Sequence, residues 1–184
     1  MTEQSNDNTK ELKWFALSAP YHKEMEAKKL LVRNEIECFI PMIHKIVNTA
    51  HGKVRRFVPA ISNLVFARTT KEEIQKVKTG VSFIQYKVRR ENGKNIPLTV
   101  PDHDMQQFMS VCEAANEELI YLSPEEINLK KGTPVKVIGG AFDGVEGVFV
   151  KIKGKRKKHI VVNIENIAAV AVAEINPDYI QVMK

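Results

Sequence analysis

At 184 residues and 43% hydrophobic content, the chain has enough apolar material for one or two compact domains with a proper core. Its 28 Lys and Arg against 22 Asp and Glu leave a formal charge of +6, a basic balance that suits a nucleic-acid neighbour without requiring one. Cys38 and Cys112 lie far apart in apolar settings, which argues against a disulfide or a metal site. No apolar run approaches the roughly 20 residues of a membrane span, and the polar start MTEQSNDNTKELK lacks a signal peptide's apolar core. A soluble, cytoplasmic protein is therefore expected.

Residues 1–11 read as a disordered tail. The apolar run LKWFALSA (12–19) predicts a short strand ended by Pro20. A helix is expected over YHKEMEAKKLLVRNEI, with Ala27, Leu30 and Leu31 toward the core and His22, Glu26, Lys29 and Arg33 on another face. ECFIPMI predicts a strand that Pro41 interrupts, and residues 44–60 a hairpin with a basic tip around 51–56. ISNLVFARTT is another strand running into a helix. Thr70 and Glu73 form the capping-box pattern there, Ile74 and Val77 face inward, and Gly80 stands where the helix should stop. VSFIQYKV reads as a strand and RRENGKN, with its Asn-Gly pair, as a turn into IPLTV. From Asp102 a third helix sets Met105, Phe108, Met109 and Cys112 at helical spacing, which is a core stripe.

Residues 114–130 read as a linker. Beyond it the hydrophobic rhythm changes to period two: Val135 and Val137, then Val148, Val150 and Ile152, then Ile160, Val162 and Ile164. Five short strands ending with DYIQVMK predict a small β-barrel. The fold class is thus α+β, an antiparallel sheet flanked by helices followed by an all-β module.

The stretch GGAFDGVEGVFV (139–150) could be a phosphate cradle or a barrel corner. A phosphate loop leads into a helix and carries Lys and Ser or Thr after its last glycine; here a period-two strand follows Gly147 and no such pair is present. The corner accounts for more. Gly139-Gly140 and Asp143-Gly144 permit sharp reversal, Phe142 and Val145 plug the end, and Gly147 lets two backbones approach closely.

With Gly132, Val135, Val137, Gly140, Phe142, Gly144 and Gly147 in place, this stretch resembles the KOW motif of the NusG family of transcription factors; Ala141 departs from the usual proline. WFALSAPYHKEMEAKKLLVRNEIECFIPMI is similar to the opening of that family's NGN domain, and VPAISNLVFA and TGVSFI follow in family order. The resemblance runs from Trp14 to about Val182. It implies an NGN domain over 12–113, a linker over 114–130 and an SH3-like β-barrel KOW domain over 131–184. IECFIPMIHKIV and HGKVRRFVPAISNLVFARTT resemble the specialised RfaH-like antiterminators, and still more the UpxY-type regulators of capsular polysaccharide operons.

The resemblance implies binding to the clamp helices of the largest subunit of RNA polymerase through an apolar face of Trp14, Phe15, Phe39, Pro41, Leu64 and Phe66; core packing is the alternative for each, equally for Trp14 and Phe15, while contact is favoured for Leu64 and Phe66. Lys29, Arg33, Asn34, Arg55 and Arg56 would face non-template DNA. Lys155, Arg156, Lys157 and Lys158, in the run KGKRKK, would touch nascent RNA or remain a solvated hairpin tip. Ile164 and Ile167 fall in the loop that binds ribosomal protein NusE or termination factor Rho in the housekeeping protein, but the Phe of that pattern is absent, so Rho recruitment is not expected. Residues 168–173 alternate Ala and Val, compatible with a strand and tolerable in a helix.

No enzyme is expected. The five histidines are scattered, Asp102-His103-Asp104 reads as a helix cap, and no nucleophile has an evident base. No cofactor, metal or membrane is expected, and a monomer is. The expected function is read-through of a specific operon, with capsular polysaccharide synthesis the implied target. The alternatives are a housekeeping elongation factor and a ribosome-associated RNA-binding protein.

Overall fold

The computed structural model describes residues 11–114, 119–122, 132–151, 158–164, 167–172 and 177–183. The expected tail thus falls almost wholly outside the described residues. In the first part of the chain the elements are β1 (Lys13–Ser18), α1 (Glu24–Arg33), β2 (Glu37–Phe39), β3 (Met42–Thr49), β4 (Gly52–Pro59), β5 (Val65–Thr69), α2 (Lys71–Thr79) and β6 (Gln85–Tyr86). β7 (Val88–Glu91), β8 (Lys94–Pro97), β9 (Thr99–Val100) and α3 (Asp102–Ala114) follow. The rest is β10 (Leu119–Leu122), β11 (Thr133–Val137), β12 (Glu146–Lys151), β13 (Lys158–Ile164), β14 (Ala168–Val172) and β15 (Ile180–Val182). Two compact units result, residues 1–42 with 57–102, and residues 43–56 with 103–184.

The first unit is built on an antiparallel sheet of order β2-β5-β1-β6, with β9 also pairing β1. β1 is buried from Trp14 to Leu17 without alternation, because both of its faces are covered. One face carries Phe15, Leu17, Val65 and Ala67, which pack with Ala27 and Leu31 of α1 and Ile74 and Val77 of α2 in one apolar cluster. Burial of such side chains contributes roughly 1.5–3 kcal/mol each, the main force setting the sheet against its helices. α2 starts at a true capping box: Thr70 Oγ1 accepts from Glu73 N at 3.2 Å while Thr70 N donates back to the Glu73 carboxylate at 3.2 Å. α1 has no side-chain N-cap; at its other end Asn34 Nδ2 donates to Leu30 O at 2.8 Å. Its inward stripe also buries Glu24, whose carboxylate accepts from Asn63 N at 2.8 Å and so holds the approach to β5.

Two hairpins stand apart from the larger sheets: β3 pairs with β4 and β7 with β8, each as a two-stranded ribbon. The expected strand over residues 81–88 is realised only as β6 and the start of β7. Asn92 and Gly93 carry φ of 48° and 78°, the type I′ turn that the Asn-Gly pair predicts.

The second unit contains an antiparallel sheet of order β10-β14-β13-β12-β11-β15. Two expectations change here. Among the described residues no pairing joins β10 to β15, so the six strands form an open path and no closed barrel is present. The stretch expected as linker contributes a strand: Leu119–Leu122 is an apolar run that pairs with β14 from Leu119↔Val172 to Leu122↔Ala169. α3 buries Met105, Phe108 and Val111, and Gln107 Oε1 accepts from Glu146 N at 3.0 Å, tying the helix to β12.

The glycine-rich stretch is a corner. A 3-10 turn at Gly140–Phe142 joins β11 to β12, and Gly140 has φ of 73°. Gly147 is the tightest position. A Cβ there would lie 2.7 Å from Val161 O and 2.8 Å from Ile160 Cγ2, so β12 and β13 approach as closely as the sequence suggested. Among the described residues no helix is long and apolar enough to cross a membrane.

Candidate functional site

The face of the first sheet opposite the helices gathers most of the predicted docking side chains. Register fixes this: Ala16 pairs with Phe66 and Phe66 with Phe39, while Trp14 pairs with Arg68 and with Val100. Directly paired antiparallel residues project to the same side. Trp14, Phe39 and Phe66 therefore share one face, with Phe39 beside Phe66 and Trp14 diagonal to Phe66, and Leu64, two residues before Phe66, continues their line. Phe15 takes the other side and belongs to the helix-packed core, with its ring 5.6 Å from that of Tyr86. Pro41 is buried just after β2, where its ring ends the strand and its carbonyl accepts from Ala60 N at 2.8 Å.

Trp14 is 3% exposed and Phe66 0%, with Leu64 equally enclosed. Phe39 is only half-buried. At the polar margin of this face Arg68 reaches the Asp102 carboxylate at 3.0 Å and Glu37 at 3.7 Å. This Arg68–Asp102 bridge lies outside the sequence reading, because the pairing of two residues so far apart in the chain depends on the fold.

The cations divide between elements. Lys29 and Arg33 are exposed one helical turn apart on α1, with Asn34 at the helix end engaged by Leu30 O. Arg55 and Arg56 are strand residues of β4, not turn residues, and as successive strand positions they project to opposite faces of the ribbon. The turn itself is Ala50-His51, braced by Thr49 Oγ1 donating to Gly52 O at 2.8 Å. The β7–β8 ribbon adds Arg89, Arg90 and Lys94, which reading RRENGKN as a turn had hidden. The signal that would have found them is charge density, since Glu91 is the one acid between residues 74 and 101.

Lys155, Arg156 and Lys157 lie outside the described residues, and Lys158 opens β13. Ile164 and Ile167 are buried and the latter closes the turn by donating its N–H to Ile164 O at 3.1 Å. The Ala-Val stretch is strand β14. Of the motif residues, Gly132 leads into β11, Phe142 is half-buried at the corner, and Gly144 N donates to Val137 O at 2.8 Å.

Neither cysteine is primed as a nucleophile. Burial raises the Cys38 thiol and pushes Cys112 up to about 12, the opposite of what a nucleophilic thiolate needs. Burial likewise raises the Tyr121 phenol, which shares a hydrogen bond with Cys112. Among the described residues no three His, Cys, Asp or Glu side chains group so as to hold a metal ion.

A family model described as "NusG: Transcription termination factor nusG" matches residues 12–109, more than half of the chain. Among solved structures, one titled "Domain interaction in Thermotoga maritima NusG" is similar at 17% identity with a TM-score of 0.45, covering 95% of this chain and 98% of that one. No curated protein matches.

Proposed function

The chain belongs to the NusG family of transcription factors, and from that premise we propose that it is a transcription elongation factor of the antitermination type that binds RNA polymerase through its first sheet. The observation that carries this is the register that puts Trp14, Phe39 and Phe66 on one sheet face, extended by Leu64. Aromatic and aliphatic area of that kind supplies affinity for an amphipathic helix, with few charges at the centre. Arg68, Glu37 and Asp102 give the face a polar margin. Phe15 is left out of the docking set because its packing is with the helices.

In this reading residues 12–113 are the NGN domain, 114–130 the connection and 131–184 an SH3-like KOW domain, a reading supported by the short strands β11 to β15. Lys29, Arg33 and Asn34, and one of the two arginines of β4, contact the displaced non-template strand through its phosphates. Lys155, Arg156, Lys157 and Lys158 supply a further contact to nascent RNA. Ile164 and Ile167 shape the loop offered to ribosomal protein NusE rather than contacting it by their own side chains, given their burial. Rho is not recruited, since the aromatic of the housekeeping loop is missing. The specialised RfaH/UpxY-type role follows from IECFIPMIHKIV and HGKVRRFVPAISNLVFARTT, and capsular polysaccharide synthesis is the operon class we assign.

The test uses Phe39, because its half-buried ring can change with least damage to the core. Phe39→Ser should weaken capture of purified RNA polymerase at least tenfold with an unchanged circular dichroism spectrum. Unchanged capture would overturn the docking face. Transcript mapping across terminators with and without the protein then separates the specialised factor, which lengthens transcripts of one operon, from a general one. The housekeeping reading is favoured by the termination factor named in the family description, and strong Rho binding would establish it.

A further inference from the structure

Between residues 74 and 101 the chain carries Lys76, Lys78, Lys87, Arg89, Arg90 and Lys94 against one carboxylate, Glu91. Charge of one sign concentrated in so short a stretch raises the local potential well above what the modest net charge suggests. The structure places its last part on a ribbon exposed on both sides: every residue of β7 and all of β8 but Pro97 are exposed.

The ribbon's two faces are not equivalent. Arg89 pairs with Ile96 and Glu91 with Lys94, so these four share a face, and Glu91 is engaged by Arg89 at 3.1 Å. Arg90 pairs with Asn95 and shares the other face with Val88, where no acid offsets its charge. At the ribbon's root Lys78 lies over the Tyr86 ring, 3.9 Å from its centre, and Lys87 donates its backbone N–H to Ala16 O at 2.9 Å. Burial lowers both lysines from their ordinary value, and among the described residues neither forms an ion pair. Cations held partly out of water without counter-charges favour an anionic ligand.

We propose that the β7–β8 ribbon is a sequence-independent nucleic-acid contact in which Arg90 pairs with a backbone phosphate while Lys78 and Lys87 strengthen the positive field at its root. The occupant is a nucleic acid rather than an acidic protein for a specific reason. Protein interfaces need a desolvated apolar anchor, and the ribbon's exposed apolar residues, Val88 at 45% and Ile96 at 36%, stand on opposite faces. A phosphate backbone needs only positive charge, and Arg90 presents a planar fork suited to phosphate oxygens. The inference goes beyond the polymerase-docking reading and does not depend on it.

The experiment titrates the full chain against fluorescent single-stranded DNA, single-stranded RNA and duplex DNA of scrambled sequence over a salt series. For the unmodified chain the affinity should fall linearly in log–log form with salt. Replacing Arg90→Ala should flatten that slope by about 0.7 for a single strand or about 0.9 for the duplex, corresponding to one lost phosphate contact. The probe with the largest change identifies the strand form. A second variant guards against misfolding: Glu91→Gln removes the ribbon's acid and should tighten binding to the same probes. An unaltered slope in the Arg90 variant, or absence of salt-dependent binding in the unmodified chain, overturns the proposal. So does a loss seen only in polymerase capture, which would make the ribbon a protein contact. Phe39→Ser should leave nucleic-acid binding intact, so failure of the docking face and failure of the ribbon are told apart.

Discussion

β1 and β7 are both short antiparallel strands in the same unit, yet they have opposite fates. From Trp14 to Leu17 every side chain of β1 is buried, whereas every residue of β7 is exposed. Local backbone geometry does not separate them; neighbours do. β1 has β5 on one side and β6 and β9 on the other, with helices over one face, while β7 has only β8. The sheet is where the free energy of the fold is concentrated, so its side chains are constrained by volume. The ribbons carry little of that energy and can hold charge that the sheet could not.

The sharpest test of that contrast is a cavity in the sheet core. Leu17 is enclosed on the helix-packed face, and Leu17→Ala should destabilise the chain by about 2–5 kcal/mol in denaturant titration. The matching change on the ribbon, Val88→Ala, should fall within roughly 0.5 kcal/mol of the unmodified protein. Equal effects would break the comparison.

A second test asks whether the rule extends to the other unit. At Gly147 an added side chain meets the carbonyl of Val161, which cannot move without disturbing the β12–β13 pairing. Gly147→Val should therefore cost about 1–3 kcal/mol, as overpacking does. Hydrogen exchange should localise the loss to β12 and β13. Exchange that accelerates equally in β1 and β5 would count against independent units.

The third test returns to exposed strands. Because Arg55 and Arg56 project to opposite faces of the β3–β4 ribbon, a nucleic-acid strand laid against one face meets only one of them. One single substitution to alanine should flatten the salt dependence of binding by about 0.7 while the other leaves it unchanged. Neither should shift the melting temperature measurably. Equal flattening by both would mean that the ribbon enters a groove rather than lying flat.

What was legible in the sequence follows the same division. Features fixed by adjacent residues were readable: the Thr70–Glu73 box, the Asn92-Gly93 turn, the close approach at Gly147. The succession of most strands and helices along the chain could also be read from hydrophobic rhythm. Features fixed by pairing partners could not. That Phe15 turns to the helices while Trp14 turns away is plain from alternation, but which side is core depends on where α1 and α2 lie. β10 was hidden in a polar stretch because four apolar residues gain a strand only when β14 offers an edge. The open path of the second sheet was equally invisible, since closure depends on whether two distant edges meet. For the candidate site, the sequence supplied the residue types and the register supplied their grouping. The β7–β8 cations were missed because a turn signal was allowed to account for the whole of RRENGKN.

The smallest expected effect tests the boundary between the two regimes, at the start of α2. Thr70→Ala removes the hydroxyl that caps Glu73 N and should cost about 1 kcal/mol at neutral pH. The Glu73 carboxylate accepts from the Thr69 hydroxyl at 2.8 Å and from Thr70 N, and these bonds, with Thr69 the largest, hold it below the ordinary glutamate value. A carboxyl depressed in the folded state stabilises above its unfolded value and loses that contribution as pH falls through the folded one. Glu73→Gln should therefore lower the melting temperature slightly at neutral pH and converge with the unmodified protein in acid. The α1 start offers an internal control, for it has no side-chain cap. Lys23→Ala there removes an exposed ion pair to Glu26 at 3.4 Å and a contact over the Phe83 ring instead of a cap, so its acid dependence should be smaller than that of the box.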